Sequence, residues 1–344
     1  MSRRLSRRTR ILAAGTAVLA AVAVVTACSG DKKPVATPTP SATASPTPSP
    51  TPTPISNASP LTGLPNGMGK PVVVVKIDNT RPSHPQTGVD KADVVYIEQV
   101  EAGLTRLAAV FSGRVPSVVG PVRSARETDI QIFNQYGAVA FAYSGAQRAV
   151  VQALRRSNLN LASDGFGGGW FRGRGHAPYN LYTSPARILK AIPNAAKVRD
   201  IGFVFGPSVS MRPTHGVDVL FKAASVRWRW SSAKRAWVWS MDGSPASAVG
   251  AGQVTADNVI VQYVKVTASR LHDINGNASP HTQTIGTGRA MFFRDGRWVP
   301  GTWSRPNASA PTKWMIGKTG TRYRMKPGRT WIMLAGGAAR VSLA

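Results

Sequence analysis

The sequence predicts an α+β protein. A mixed α/β domain over 60–205 and a mostly β domain over 206–344 follow a signal peptide (1–27) and a linker (28–59). Three observations point there. Between Pro60 and Gly206, apolar runs of strand length alternate with capped segments of helix length. Beyond Gly206 the texture changes to short alternating segments joined by tight turns, the pattern of β-hairpins. Residues 28–59 hold almost no apolar surface from which to build a core.

The leading segment reads MSRRLSRRTR, with five arginines and no acid, then the apolar run ILAAGTAVLAAVAVVTA over 11–27. Val25-Thr26-Ala27-Cys28 and Ser29-Gly30 follow. A basic head, a short apolar core and small residues before the cut describe a secretory signal. Cysteine at the cut makes it a bacterial lipoprotein signal. The Cys28 thiol is expected to take a diacylglycerol, the preceding peptide to be cleaved, and the chain to sit at the outer face of the cell membrane. The apolar run is shorter than the ~20 residues of a spanning helix. Two Arg-Arg pairs raise twin-arginine export, but the residues after them fit that pattern poorly, and Sec and Tat both stay open. Cys28 is the single cysteine, so neither an intrachain disulfide nor a Cys-based metal site is available.

Residues 34–54, PVATPTPSATASPTPSPTPTP, favour polyproline helix at ~3.1 Å per residue, a reach of roughly 65 Å. That suits a spacer lifting a domain off a membrane. Composition does not decide whether its Thr and Ser are glycosylated.

The chain carries 43 Lys+Arg against 15 Asp+Glu, and cleavage of the signal lowers the formal charge from +28 to +23. Such a surface attracts polyanions. Outside a cell these are anionic lipid headgroups and wall polymers bearing phosphate or uronate. The export signal and the lack of a stacking module argue against nucleic acid. Part of the charge can equally be a solvated arginine-rich surface.

In the first domain, PVVVVKI (71–77) reads as a buried strand ending at Asp78-Asn79, Asp93–Glu98 as a second and Leu104–Phe111 as a third. Gly120–Arg123 makes a turn. Ser124-x-x-Glu127 reads as a capping box that opens a helix through about Tyr136. Ala138–Tyr143 is a strand, Ala146–Arg156 a helix, and Ser184-Pro185 caps a third helix through about Ala191. The Gly-rich stretch 165–175 is a surface loop with the wrong spacing for a dinucleotide fingerprint.

Acids are scarce here, so their placement is informative. Asp78, Asp90, Asp93, Glu98, Glu101, Glu127 and Asp129 share one window with Arg106, Arg123 and Arg126. Polar residues at strand ends and helix starts are where such domains hold ligands. The candidate ligand-binding set is Asp78, Asn79, Glu98, Arg106, Arg123, Ser124, Arg126 and Asp129. Arg123 and Arg126 would meet an anion at the helix start. Asp78, Glu98 or Asp129 would hold those arginines or serve as acid and base. The same set can instead be a structural salt-bridge network.

In the second domain, Val226–Trp230 and Ala236–Ser240 form a hairpin, Asn258–Val266 a strand, and Ala290–Arg294 with Arg297-Trp298 a second hairpin turning on Asp295-Gly296. Thr330–Leu334 closes what reads as a small sandwich or barrel, its tryptophans in the core. Ser231-Ser-Ala-Lys234 and Lys318-Thr319-Gly320 imitate a penicillin-binding signature. The serine falls in a turn between Trp-rich strands, where that chemistry fails. Five scattered histidines show no zinc spacing, and no cofactor motif is legible.

One ordered set of motifs carries a resemblance. Pro60-Leu-Thr-Gly-Leu-Pro65, Lys76-Ile-Asp-Asn79, Pro85-Gln-x-Gly88, Ala92-Asp-x-Val-Tyr96 and Glu98 come first. Gly103-x-Thr-Arg106, Val119-Gly-Pro-Val-Arg-Ser-Ala-Arg126, Asp129 and Ala177-Pro-x-Asn-Leu-Tyr-Thr183 follow. Phe293-Arg-Asp-Gly296, Gly301-Thr-Trp303 and Pro327-Gly-x-Thr-Trp331 complete it. Together they resemble the YerB-like family of bacterial surface lipoproteins over roughly 60–335. The resemblance implies an anchored, two-part α+β envelope protein and brings no settled activity. The chain departs at His84 and Tyr179, where members often carry arginine and histidine. Tyr179 therefore weakens any catalytic-histidine role there. The reading is a non-catalytic lipoprotein that binds an anionic wall component or a wall-synthesis protein. Its alternatives are an envelope hydrolase using the Asp/Glu/Arg cluster and a scaffold without a small ligand.

Overall fold

In the computed structural model, the described residues are 57–344 apart from 174, 274–275 and 318–319. The signal, Cys28, the linker and Lys318-Thr319 lie outside them. The strands and helices that position the site are β1 (Val73–Asp78), β2 (Val94–Gln99), β3 (Thr105–Phe111), α1 (Glu127–Phe133), β4 (Ala140–Tyr143), α2 (Arg148–Arg155), β5 (Asn160–Ser163) and α3 (Pro185–Ala191). Then come β6 (Gly216–Leu220), β7 (Ser225–Ser231), β8 (Ala236–Met241), β9 (Asn258–Tyr263), β10 (Lys265–His272) and β11 (Ala278–Gln283). The chain closes with β12 (Gly286–Arg294), β13 (Arg297–Arg305), β14 (Lys313–Ile316), β15 (Thr330–Ala335) and β16 (Arg340–Leu343).

The first half is mixed α/β and the second mostly β, but the two halves share one sheet. In the 12-stranded sheet the order runs β14-β13-β12-β9-β15-β2-β3-β1-β4-β5, with two short strands added, Thr321–Arg322 beside β14 and Arg212–Pro213 beside β13. Strand β15, from near the C-terminus, runs parallel to β2 with Val94 opposite Thr330 and Ile97 opposite Met333, and parallel to β9 on its other side. The second half therefore does not form a sandwich or barrel of its own. Four of its other strands, β8-β7-β6-β16, form the body of a second, six-stranded sheet.

Alternation assigns the two faces of the large sheet. Val73, Val75, Ile77, Val95, Ile97 and Leu107 look toward α3 and the second sheet, where Trp228, Trp237, Trp239 and Trp331 pack with almost no exposure. The second-half tryptophans of the small sheet are thus core. The opposite parity, Val72, Val74, Tyr96, Ala108 and Val110, packs on α1 and α2 through Ile132, Phe133, Val150 and Leu154. Lys76, Asp78, Glu98 and Arg106 continue this even-numbered parity, so the sheet drives their side chains into the α1 face.

Two local expectations shift. The α1 N-cap is Arg126, not Ser124, because the N3 residue Asp129 reaches back to accept the Arg126 amide at 2.6 Å. The α-helix then stops at Phe133 and a 3₁₀ turn, Asn134–Tyr136, finishes the segment. The strand expected over 258–266 ends at Tyr263. The chain then leaves the sheet as the β10–β11 ribbon, which lies on α1 through Thr282 N–H to Thr128 Oγ1 (3.1 Å) and Thr284 N–H to Gln131 Oε1 (3.2 Å).

Candidate functional site

The charged cluster has a closed inner layer and an outer layer that reaches solvent. Inside, the Lys76 ammonium is fully buried between two carboxylates. It contacts Glu98 and donates to Asp129 Oδ1 at 2.6 Å, and both acids are themselves at 0% exposure. Burial pulls Lys76 from its ordinary 10.5 down to about 8, against the pull of Asp129. It therefore stays charged near neutrality. Glu98 and Asp129 thus do not hold the arginines as the sequence suggested. They hold a lysine that the candidate set left out, and Asp129 also ties down the start of α1.

Outside, the segment 119–123 is pinned against 181–183 by backbone bonds, Val119 N–H to Thr183 O and Val122 N–H to Leu181 O. Gly120 makes this approach possible, since a Cβ there would lie 2.8 Å from the Leu181 carbonyl oxygen. The result fixes Arg123, whose Nε stands 2.5 Å from Asp78 Oδ2 and whose guanidinium lies 5.5 Å from the Tyr179 ring centroid. Asp78 Oδ1 is taken by the Thr80 amide and hydroxyl, at 2.6 and 2.5 Å. Arg126 is held by Glu101, Nε at 3.0 Å and Nη2 at 2.5 Å to Oε2, while Glu101 Oε1 accepts the Ser279 hydroxyl at 2.6 Å. Burial pushes Glu101 up, but the Arg126 hydrogen bonds and charge, with Ser279, outweigh it and hold it below its ordinary 4.5.

Arg106 is different. It lies on β3 opposite both Asp78 and Glu98, yet among the described residues its guanidinium makes no ion pair within 4.0 Å and donates only to the Ser124 carbonyl, at 3.0 Å. Arg126 Nη1 approaches the same carbonyl at 3.5 Å. Burial first, then the charges of Arg126 and Arg123, lower Arg106 to about 9. Four cations and four carboxylates make up the cluster, but they are unevenly matched: Lys76 has two acids in contact and Arg106 none.

The structure thus brings together Asp78, Arg106, Arg123, Ser124 and Arg126. It sets Glu98 and Asp129 beneath them, and turns Asn79 away. Asn79 Nδ2 donates to Thr105 Oγ1 at 2.8 Å, and its side-chain carbonyl faces Gln86. Ser124 contributes its carbonyl. Lys76, Glu101 and Ser279 complete the cluster. The signal for Lys76 was a charged residue inside an otherwise apolar strand. Ser279 carried none. Because α1 has seven residues and its cap amide is taken by Asp129, the anion-binding potential rests on the arginines rather than on the helix start.

Comparison with known proteins covers most of the chain. Residues 61–199 match the N-terminal domain, and 217–332 the C-terminal domain, of the family described as protein of unknown function DUF3048. A relative from Bacillus subtilis (strain 168), named "Putative lipoprotein YerB", is 25% identical over 291 residues, covering 80% of this chain and 85% of that protein. The crystal structure of YerB protein from Bacillus subtilis has the same fold, with a TM-score of 0.71 at 24% identity, over 83% of this chain and 99% of that one.

Proposed function

The chain belongs to the DUF3048, or YerB-like, family, and from that premise we propose that it is an envelope lipoprotein. It is held to the outer face of the membrane through Cys28 and uses Arg106, Arg123 and Arg126 to bind an anionic group of a wall component. The observation that carries the binding half is Arg106, a guanidinium only 8% exposed with no carboxylate of its own and two other arginines beside it. A buried cation without a counter-charge is costly, and a phosphate or carboxylate received there would supply the missing partner. Arg123, with 18% of its side chain exposed, is the approach to it. The high positive charge outside the cluster would draw a polyanion in.

The hydrolase alternative needs a carboxylate open to substrate. Asp78, Glu98 and Asp129 are closed off at 0–1% side-chain exposure and already occupied, so binding is the better-supported reading.

The test uses the full chain. Removing the Arg123–Asp78 pair as a unit, in Asp78→Asn/Arg123→Gln, leaves no stranded charge, so the fold should survive. Binding to poly(glycerol phosphate) or polygalacturonate should fall ~10-fold or more. Wild-type binding should also weaken steeply toward ~0.5 M salt, where screening shrinks to a few ångströms. Cys28→Ala should stop processing after Ala27 and abolish lipid labelling. Undiminished polymer binding by the folded double variant would sink the arginine site, and a lipid-labelled, signal-cleaved Cys28→Ala protein would sink the anchor.

A further inference from the structure

A separate cleft of about 200 Å³ opens where the 81–84 turn meets the end of β8. None of the arginine cluster's charged groups lines it, although the two adjoin: the lining His84 feels the Asp78 charge, and Asn79 Nδ2 lies 3.6 Å from the lining Met241 Sδ. Two opposite charges do line it. Arg81 comes from the 81–84 turn and Asp242 from the turn after β8, and both are exposed to solvent. They do not pair: among the described residues no ion pair within 4.0 Å joins them, and the Arg81 guanidinium has no other partner.

The Asp242 carboxylate is oriented rather than loose. Asp242 stands at φ 49° with Gly243 at 82° in the turn that follows Met241, and its Oδ1 accepts the Ser225 amide at 2.7 Å. The positive φ suits an aspartate-glycine pair. One carboxylate oxygen is thereby fixed, and the other has no hydrogen bond or ion pair among the described residues.

Met241, Pro245 and Ala246 give the lining an apolar part, Ser244 adds a hydroxyl, and the last lining residue is His84. Its ring lies 5.6 Å from that of Trp239, and its Nε2 is 3.2 Å from the Gln86 amide nitrogen. Burial lowers its pKa, outweighing Asp78 and Asp242. The imidazole is therefore a neutral wall near pH 7 and not a third charge.

Size and charge together select the ligand. The volume is below the ~300–1,000 Å³ of pockets for drug-sized molecules. A zwitterion would meet both charges, where a lone anion or a lone cation would meet only one. We propose that this cleft binds a small zwitterion of the α-amino-acid type, with its carboxylate on Arg81, its ammonium on Asp242 and a short apolar side chain on Met241, Pro245 and Ala246. The proposal does not depend on the anion reading of the arginine cluster.

Isothermal titration of the full chain, purified in detergent, with alanine of each hand tests it. Saturable binding at about 1–10 mM or tighter is expected for at least one enantiomer. Propionate and ethylamine, which carry one charge each, should bind at least ~10-fold more weakly. Arg81→Gln and Asp242→Asn should each weaken alanine binding by a similar factor. Asparagine still accepts the Ser225 amide and tolerates the positive φ, so Asp242→Asn should melt like the parent. Absence of saturable binding by either alanine, propionate binding as tightly as alanine, or variants that bind like the parent would each overturn the proposal.

Discussion

Lys76 is a buried cation on which two buried carboxylates depend. It interrupts PVVVVKI, and strand parity puts it with Val72 and Val74 on a buried face. That much could be read from the sequence, as could the shortage of acids and their gathering nearby. What could not be read is which acids it meets, because Glu98 comes from β2 and Asp129 from α1, and only the assembled sheet and helix choose them. The same uncertainty misassigned both acids to the arginines. The geometry makes a sharp expectation. In Lys76→Met, two carboxylates remain buried without a cation, a loss of ~3–5 kcal/mol. At ~2–4 °C per kcal/mol for a protein of this size, the melting temperature should fall by about ten degrees. Adding Glu98→Gln and Asp129→Asn should recover much of it, since asparagine still accepts the Arg126 amide. A Lys76→Met protein that melts with the parent would show that the triad does not stabilise the fold.

At the scale of elements, the strands of the first half and both hairpins of the second stood out because their signals are local: apolar runs, alternation, Asp-Gly turns. The β10–β11 ribbon did not. Its sequence is mostly polar and contains Pro280, because much of what holds it is hydrogen bonding to α1 and to Glu101, with Val266 and Leu271 only partly buried against the core. Ser279 donates to Glu101 Oε1, and Arg305 Nη2 donates to the Gln131 carbonyl at 2.5 Å, close to where the ribbon meets α1. Glu101 therefore links ribbon, α1 start and Arg126, and its depressed pKa gives that link a pH dependence. A carboxyl held below its ordinary 4.5 binds fewer protons folded than unfolded in the window beneath that value. Its contribution is thus fully present above about pH 4.5 and is lost as pH falls through the folded value. Thermal melts across that window should show a steeper acid limb in the parent than in Glu101→Gln. Amide exchange over 278–283 should be faster in the variant at neutral pH. Equal acid limbs together with equal exchange would remove Glu101 from this role.

Across the whole molecule, the decisive contacts join residues far apart in sequence. Position 94 pairs with 330, and 97 with 333, and no window of sequence carries such a pairing. Composition and texture divided the chain near 205/206, and among the described residues the three α-helices all precede that line. The sheet nevertheless crosses that line, because β15 fills the gap between β9 and β2. Cutting there would leave β2 with an open edge at Val94–Ile97 and β15 with one at Thr330–Met333, both fully or nearly fully buried in the intact chain. Long apolar edges recruit other chains. Fragments 57–205 and 206–344 made separately should therefore aggregate or lack a cooperative melt, while the two made together should purify as a complex that melts as one transition. A cooperative melt from either fragment alone would mean that the shared sheet is a docking surface between two self-sufficient domains, and that the core does not depend on β15 being in place.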